Sequence, residues 1–270
     1  MLTEVHVPED VPAAVSLVAA GATIIGGGTS LMPRLNDYAS PPTELVSLRR
    51  AGLAGVHFDG GTVTIGAMTT LSQIEHDPRL AILNPVVRSI ASVPVRTLAT
   101  VGGNLFARQP HGDLAVALVA LNARVALAGQ NQAASTVEDL AAGVAPAGKA
   151  AGGADTLVTA VTFDLPEGGA FKYLKAARRR YNSASLVTVA ATIDEQAGSV
   201  RIALGGVGDR VVRAHAAEAA LNGRPLTEET VHAAAEAELA HLTPADDAYA
   251  SAWYRKRVFP VHLRRALLGR

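Results

Sequence analysis

The chain contains no cysteine, which excludes disulfides, thiolate nucleophiles and cysteine-ligated iron–sulfur clusters from it. Any metal redox centre that serves it must lie in another polypeptide. Net charge is also missing: 24 basic and 24 acidic side chains cancel, so no overall field draws in nucleic acid or an anionic membrane. Neither is an expected partner. No apolar run approaches the roughly 18–20 residues of a membrane span. The opening MLTEVHVPED lacks the basic-then-apolar pattern of an export signal, so a cytoplasmic location is expected. With 49% hydrophobic and 18% charged residues disorder is excluded, and 270 residues suit two modest domains better than one.

Glycine, by contrast, is concentrated where a ligand can use it. IIGGGTSL at residues 24–31 and TLATVGGNLFARQPHGDLAVALVAL at 97–121 each set adjacent glycines after an apolar, strand-like run and before a helix-like one. Lacking a Cβ, glycine adopts positive φ and lets an anionic group approach the peptide N–H groups. A diphosphate is the ligand such loops suit. The spacing is neither GxGxxG nor GxxxxGK[ST], so the usual dinucleotide and P-loop turns are not indicated.

Taken in order, residues 10–20 read as a helix with Pro12 in its first turn and Gly21 as its stop. Residues 22–25 form a strand leading into the first loop, and 31–36 open a helical turn. Strands are expected near 45–48, 52–58 and 62–65. The Thr70–Gln73 pair is a capping box that starts a helix. Residues 82–91 give another helix, broken at 92–95, and Asp113 is placed to cap a helix over 114–121. Strands come next near 124–127 and 156–165, with a helical turn at 136–140. The turn-forming cluster 166–169 is read as a domain boundary. Beyond it come strands near 171–176, 185–193 and 200–207, then helices near 214–221, 227–242 and 249–268. That order suggests an antiparallel sheet with helices on one face.

Seven segments carry a resemblance to a known family: IIGGGTSL (24–31), IGAMTTLSQIE (65–75), VRTLATVGGNL (95–105), GDLAVALVAL (112–121), KAARRRYNSASLVTVAA (175–191), RIALGGVG (201–208) and SAWYRKRVFPVHLRRAL (251–267). Over nearly its whole length the sequence resembles the FAD-binding medium subunit of the molybdenum hydroxylases, the family of carbon monoxide, xanthine and nicotine dehydrogenases. The resemblance implies an α/β plus α+β fold. A PCMH-type FAD-binding domain would occupy 1–166, as subdomains of about 1–55 and 56–166, and a smaller C-terminal domain with an antiparallel sheet and helices would occupy 167–270. FAD would be the cofactor, extended between the subdomains, with molybdopterin and [2Fe–2S] clusters held only by partner subunits.

The same resemblance assigns residues. Gly26, Gly27, Gly28, Thr29 and Ser30 would hold the diphosphate, flanked by Ile25 and Leu31. Thr100, Gly102, Gly103 and Asn104 match the family's TIGGN-type motif along the flavin, with Ala107 in the same stretch and Phe106 read as core. Asp113 would accept hydrogen bonds from the sugar-like part of FAD. Its replacement by alanine is then expected to weaken FAD retention with the fold largely intact. Lys175 matches a lysine that approaches the flavin ring. The Arg178, Arg179, Arg180 run reads as a solvated or interface face, and His111 as a solvated loop residue. Many relatives carry an aromatic where this chain has Ala184, and Tyr181 is displaced from that position. No residue is assigned a catalytic or metal-binding role.

The activity so implied is that of an oxidoreductase subunit that transfers electrons. A molybdopterin-binding large subunit would oxidise the substrate, a [2Fe–2S] small subunit would pass electrons on, and FAD would deliver them to NAD, oxygen or a quinone. Two alternatives stand beside it: a flavin-free scaffold subunit of such a complex, and an FAD enzyme resembling UDP-N-acetylenolpyruvoylglucosamine reductase. An absence of flavin bands after FAD is added marks the first, and NADPH reduction with enolpyruvyl turnover the second.

Overall fold

A computed structural model describes residues 2–36, 42–129, 135–143, 156–166, 170–179 and 182–269. Most of the expected boundary turn (167–169), together with Arg180 and Tyr181, lies outside the described residues.

The first layer is small and parallel. Strand β1 (Glu4–His6), helix α1 (Val11–Ala19), strand β2 (Thr23–Ile25), helix α2 (Leu31–Asn36) and strand β3 (Glu44–Ser47) build a sheet in the order β1-β3-β2. Helix α1 starts where the Asp10 carboxylate accepts the Ala13 N–H at 2.8 Å, and stops before Gly21 at φ +104°. It buries Val18, and Ala14 in a core shared with Val46, Leu48 and Leu157.

The second layer is antiparallel. It comprises strands β4 (Val56–Asp59) and β5 (Thr62–Gly66), helices α3 (Leu71–His76), α4 (Asn84–Ser89), α5 (Val93–Leu98), α6 (Val101–Leu105) and α7 (Asp113–Ala120), strands β6 (Arg124–Gly129) and β7 (Ser135–Thr136), helix α8 (Val137–Ala142) and strand β8 (Thr156–Asp164). The strands pair in the order β4-β5-β8-β6-β7. All eight residues of α7 are buried, as a helix apolar on every side must be.

The third layer contains β9 (Phe171–Ala177), β10 (Ser185–Asp194), β11 (Ser199–Gly205) and β12 (Val212–Arg213), paired antiparallel as β12-β11-β10-β9, then α9 (His215–Leu221), α10 (Glu228–Leu239) and α11 (Ala252–Leu268). Alternation along the strands assigns their two faces. Val187, Val189, Ile202 and Leu204 pack under the three helices with Phe259 and Leu263, while Ala190 and Ala203 join the core around α7. Helix α7 therefore lies between the second and third sheets. Fully buried Arg255 of α11 secures the join of β10 and β11, donating through one nitrogen to the carbonyls of Leu186 and Gly206, both at 2.8 Å.

Three expectations are corrected. The helix read over 82–91 is a 3-10 turn, Pro78–Leu83, followed by α4, because Pro85 begins a new helix rather than continuing the old one. Residues 92–95 do not break a helix but begin α5, since Pro94 falls in a first turn, where its missing N–H costs nothing. No strand leads into the second glycine pair: α5 runs to Leu98, a single bridge joins Thr100 to Thr70, and Gly102 and Gly103 lie inside α6.

Candidate functional site

The two glycine loops meet at one cleft of about 440 Å³, within the span of roughly 300–1,000 Å³ usual for small-molecule sites. Strand β2 delivers residues 25–31 to one wall and α6 with its exit delivers Thr100, Gly102, Gly103, Asn104, Phe106 and Ala107 to the other, while Ala67, Met68 and β8 residues Leu157 and Val158 complete the lining. Every expected site residue from Ile25 to Ala107 is thus brought together.

Sterics explain the glycines better than positive φ does. Of Gly26, Gly27, Gly28, Gly102 and Gly103, only Gly28 has a left-handed backbone, at φ +73°. A Cβ on Gly27 would fall inside the Leu98 carbonyl, and one on Gly26 would lie 2.9 Å from Thr100 Oγ1. These two glycines let one loop rest directly on the other. Gly102 similarly abuts Ala67, where a Cβ would stand 3.1 Å from the carbonyl oxygen. Close packing between the loops thus accounts for Gly26, Gly27 and Gly102 whatever the cleft holds.

The cleft presents donors and little negative charge. Among the described residues, the N–H groups of Gly27, Gly28, Thr29 and Ser30 and the hydroxyls of Thr29 and Ser30 donate to no protein acceptor. Half-buried or exposed and facing the cleft, these donors are open to an acceptor on a ligand. Among the described residues no carboxylate lines the wall, and the one charged side chain there is Arg34. A dianionic diphosphate fits this donor set, whereas a cation does not. Among the described residues no cluster of three or more His, Asp or Glu side chains could hold a metal.

The helix-capping role read for Asp113 from sequence falls to Asn104, which also lines the cleft. Helix α7 begins at Asp113 itself, after Gly112 at φ +88°, and its cap comes from another helix: Asn104 Oδ1 accepts the N–H groups of Leu114 at 3.1 Å and Ala115 at 3.3 Å. Asp113 is therefore not the N-cap. Its carboxylate, on a residue 4% exposed, turns toward the third sheet, where Oδ1 accepts from Ser185 Oγ at 2.7 Å and Thr188 Oγ1 at 2.8 Å, and Oδ2 accepts from Lys175 Nζ at 2.8 Å. Lys175 also donates to the Ser89 carbonyl at 2.9 Å. Its side chain is 8% exposed. Neither member of this pair lines the cleft. Beside them the Tyr173 hydroxyl lies 2.8 Å from Ser89 Oγ; burial first, then the Asp113 carboxylate, raise the phenol well above its ordinary range.

Phe106, expected in the core, is 52% exposed at the cleft, because α6 ends just before it. His111 is exposed as expected, edge-on to Tyr249, and Ala184 is buried. Sequence reasoning missed Arg34, Met68 and the β8 residues. For Arg34 a signal existed, since it stands three residues after Leu31 on one helix and shares its flank. For Leu157 none did: it belongs to a different sheet from Ile25 and reaches the cleft only because β8 packs against the core of the first layer.

Known proteins resemble this chain over nearly its whole length. A model of the FAD binding domain in molybdopterin dehydrogenase matches residues 2–166, and one of the CO dehydrogenase flavoprotein C-terminal domain matches 172–269. The carbon monoxide dehydrogenase medium chain of Hydrogenophaga pseudoflava is 28% identical, over 98% of this chain and 95% of its own length. The nicotine 6-hydroxylase medium subunit of Paenarthrobacter nicotinovorans is 31% identical, over 91% and 88%. Among solved structures, carbon monoxide dehydrogenase from H. pseudoflava superimposes with a TM-score of 0.89 at 26% identity, covering 99% of this chain and 96% of that one. Quinoline 2-oxidoreductase from Pseudomonas putida 86 gives 0.87 at 27% identity, covering 100% and 96%.

Proposed function

The chain belongs to the molybdopterin dehydrogenase family of FAD-binding subunits, and from that premise we propose that it relays electrons within a heteromeric molybdenum hydroxylase. It is an oxidoreductase flavoprotein subunit of the medium type, and FAD is its cofactor. In the proposed route a molybdopterin-binding large subunit oxidises the substrate, and [2Fe–2S] clusters of a small subunit feed electrons to this chain. NAD, oxygen or a quinone takes them away. The absence of cysteine supports the division of labour, since the clusters need thiolate ligands that another chain must supply.

When bound, FAD supplies the redox chemistry, and the protein supplies position and electrostatics. The N–H groups of residues 27–30, with the Thr29 and Ser30 hydroxyls, are assigned the diphosphate. Gly26 and Gly27 keep that loop against Thr100 and Leu98 respectively, and Thr100 keeps Gly103 in place by accepting its N–H at 3.2 Å. Ile25, Leu31, Gly102 and Ala107 shape the walls, and Asn104 holds α6 to the start of α7. Asp113 and Lys175 complete the proposed set from behind the wall, supporting it through α7 and β9, and either touches the cofactor only if their mutual bond opens. No side chain acts as a general acid or base. We divide the chain into a FAD-binding domain, 1–166, with subdomains of about 1–55 and 56–166, and a C-terminal domain, 167–270. No helix among the described residues is long and apolar enough to cross a membrane.

The observation that carries this reading is the junction of the two glycine loops around unpaired donors, with no carboxylate on the wall among the described residues. Native purification with metal analysis and an absorption spectrum tests it. Molybdenum, iron and FAD are expected together with two further polypeptides. A native assembly of this chain alone would rule out the relay, and a complete complex without flavin bands, even after FAD is added, would leave the scaffold reading in its place.

A further inference from the structure

Among the described residues the cleft wall carries one full charge, that of Arg34 in α2. The residue is exposed and lines the same cavity as the donors of residues 27–30. Main-chain N–H groups offer only partial charge, and they serve one phosphate group nearly as well as two. A guanidinium differs in kind: it brings a unit charge and a planar fork that can take two phosphate oxygens at once. With no carboxylate among the described wall residues to neutralise it, that charge is open to an anion that enters.

We propose that Arg34 is the counter-charge that makes this cleft select a flavin carrying a diphosphate over one carrying a single phosphate or none. The inference rests on the FAD reading above and deepens it by naming what discriminates among flavins. Because the side chain is exposed, solvent screens it. Its removal should therefore cost about tenfold in affinity, the low end for a hydrogen bond to a charged group. An arginine that merely solvates a helix flank would cost nothing.

The test uses the full chain freed of flavin, titrated with FAD, FMN and riboflavin at low and high salt and followed by flavin fluorescence. Arg34→Gln is expected to bind FAD about tenfold more weakly and to leave riboflavin affinity unchanged. The salt dependence of FAD binding should become shallower, since salt screens exposed charges most. Arg34→Lys, which keeps the charge and loses the fork, should fall between. Equal FAD affinity and equal salt dependence in Arg34→Gln overturn the assignment, as does a parallel loss for riboflavin. A wild-type chain that binds no FAD overturns the underlying reading instead.

Discussion

Gly27→Ala is expected to abolish flavin retention and to lower the thermal midpoint of the chain. The added methyl would sit inside the Leu98 carbonyl, with the Ala99 nitrogen 3.0 Å away. Both obstacles are main chain, so no rotamer change relieves them and the two loops must part. Overpacking in a filled interior costs about 1–3 kcal/mol, and an immovable backbone neighbour puts this case at the upper end. For a chain of this size that corresponds to a midpoint lowered by roughly 5 °C or more. The larger effect is on the cofactor, because parting the loops separates the two walls that are assigned one diphosphate. Flavin content after purification should drop below about a tenth of the wild-type value, since reacting and binding groups displaced by an ångström lose most of their effect. Gly61→Ala is the control: nothing lies within 4 Å of its would-be Cβ and its φ is not positive, so it should change stability by less than about 0.5 kcal/mol. Wild-type flavin content in Gly27→Ala would dispose of the two-loop cradle.

The second large effect belongs to Asp113. Sequence reasoning expects Asp113→Ala to weaken FAD retention in an otherwise sound fold, but the structure revises that expectation. Truncation leaves the Lys175 ammonium, whose side chain is 8% exposed, with the Ser89 carbonyl as its remaining partner among the described residues. It also deprives the Ser185 and Thr188 hydroxyls of their shared acceptor. Breaking a buried ion pair from one side costs about 3–5 kcal/mol, whereas replacing both partners by apolar groups is often nearly neutral. Chemical denaturation of the flavin-free chain should therefore show Asp113→Ala strongly destabilised, and Asp113→Ala with Lys175→Met substantially recovered. Because α7 carries Asp113 between two sheets, the loss should appear as a loosened join of the third sheet to the second. If the single variant unfolds at the wild-type denaturant concentration, the pair does not hold the layers together.

Features whose cause is local were legible. The capping boxes at Thr70 and Thr227 and the Asp10 cap are three-residue relationships; those at Thr70 and Asp10 appear where the sequence indicates, and Thr227 opens the helix expected there. The β2 strand, the first glycine loop and α2 were equally readable, since an apolar run, a glycine triplet and a helical turn come in order. Proline misled twice, at 85 and 94, because a ring that ends one helix is also at home in the first turn of the next. Phe106 was misread because an aromatic's preference for burial says nothing about where its helix stops.

By itself, the sequence determined the class of ligand and what must come from other chains. Glycine loops of this pattern bare main-chain donors, and a chain without cysteine cannot ligate iron–sulfur clusters. Which donors remained unpaired, and which charged groups faced them, was decided only in three dimensions. Asp113 caps nothing because Asn104, nine residues earlier, reaches the α7 N–H groups first. Its carboxylate is then claimed by Ser185, Thr188 and Lys175, all more than 60 positions away in the chain. Hydrogen bonds and close packing depend on distance in space, and no local pattern encodes which distant strand will come to lie against a given helix.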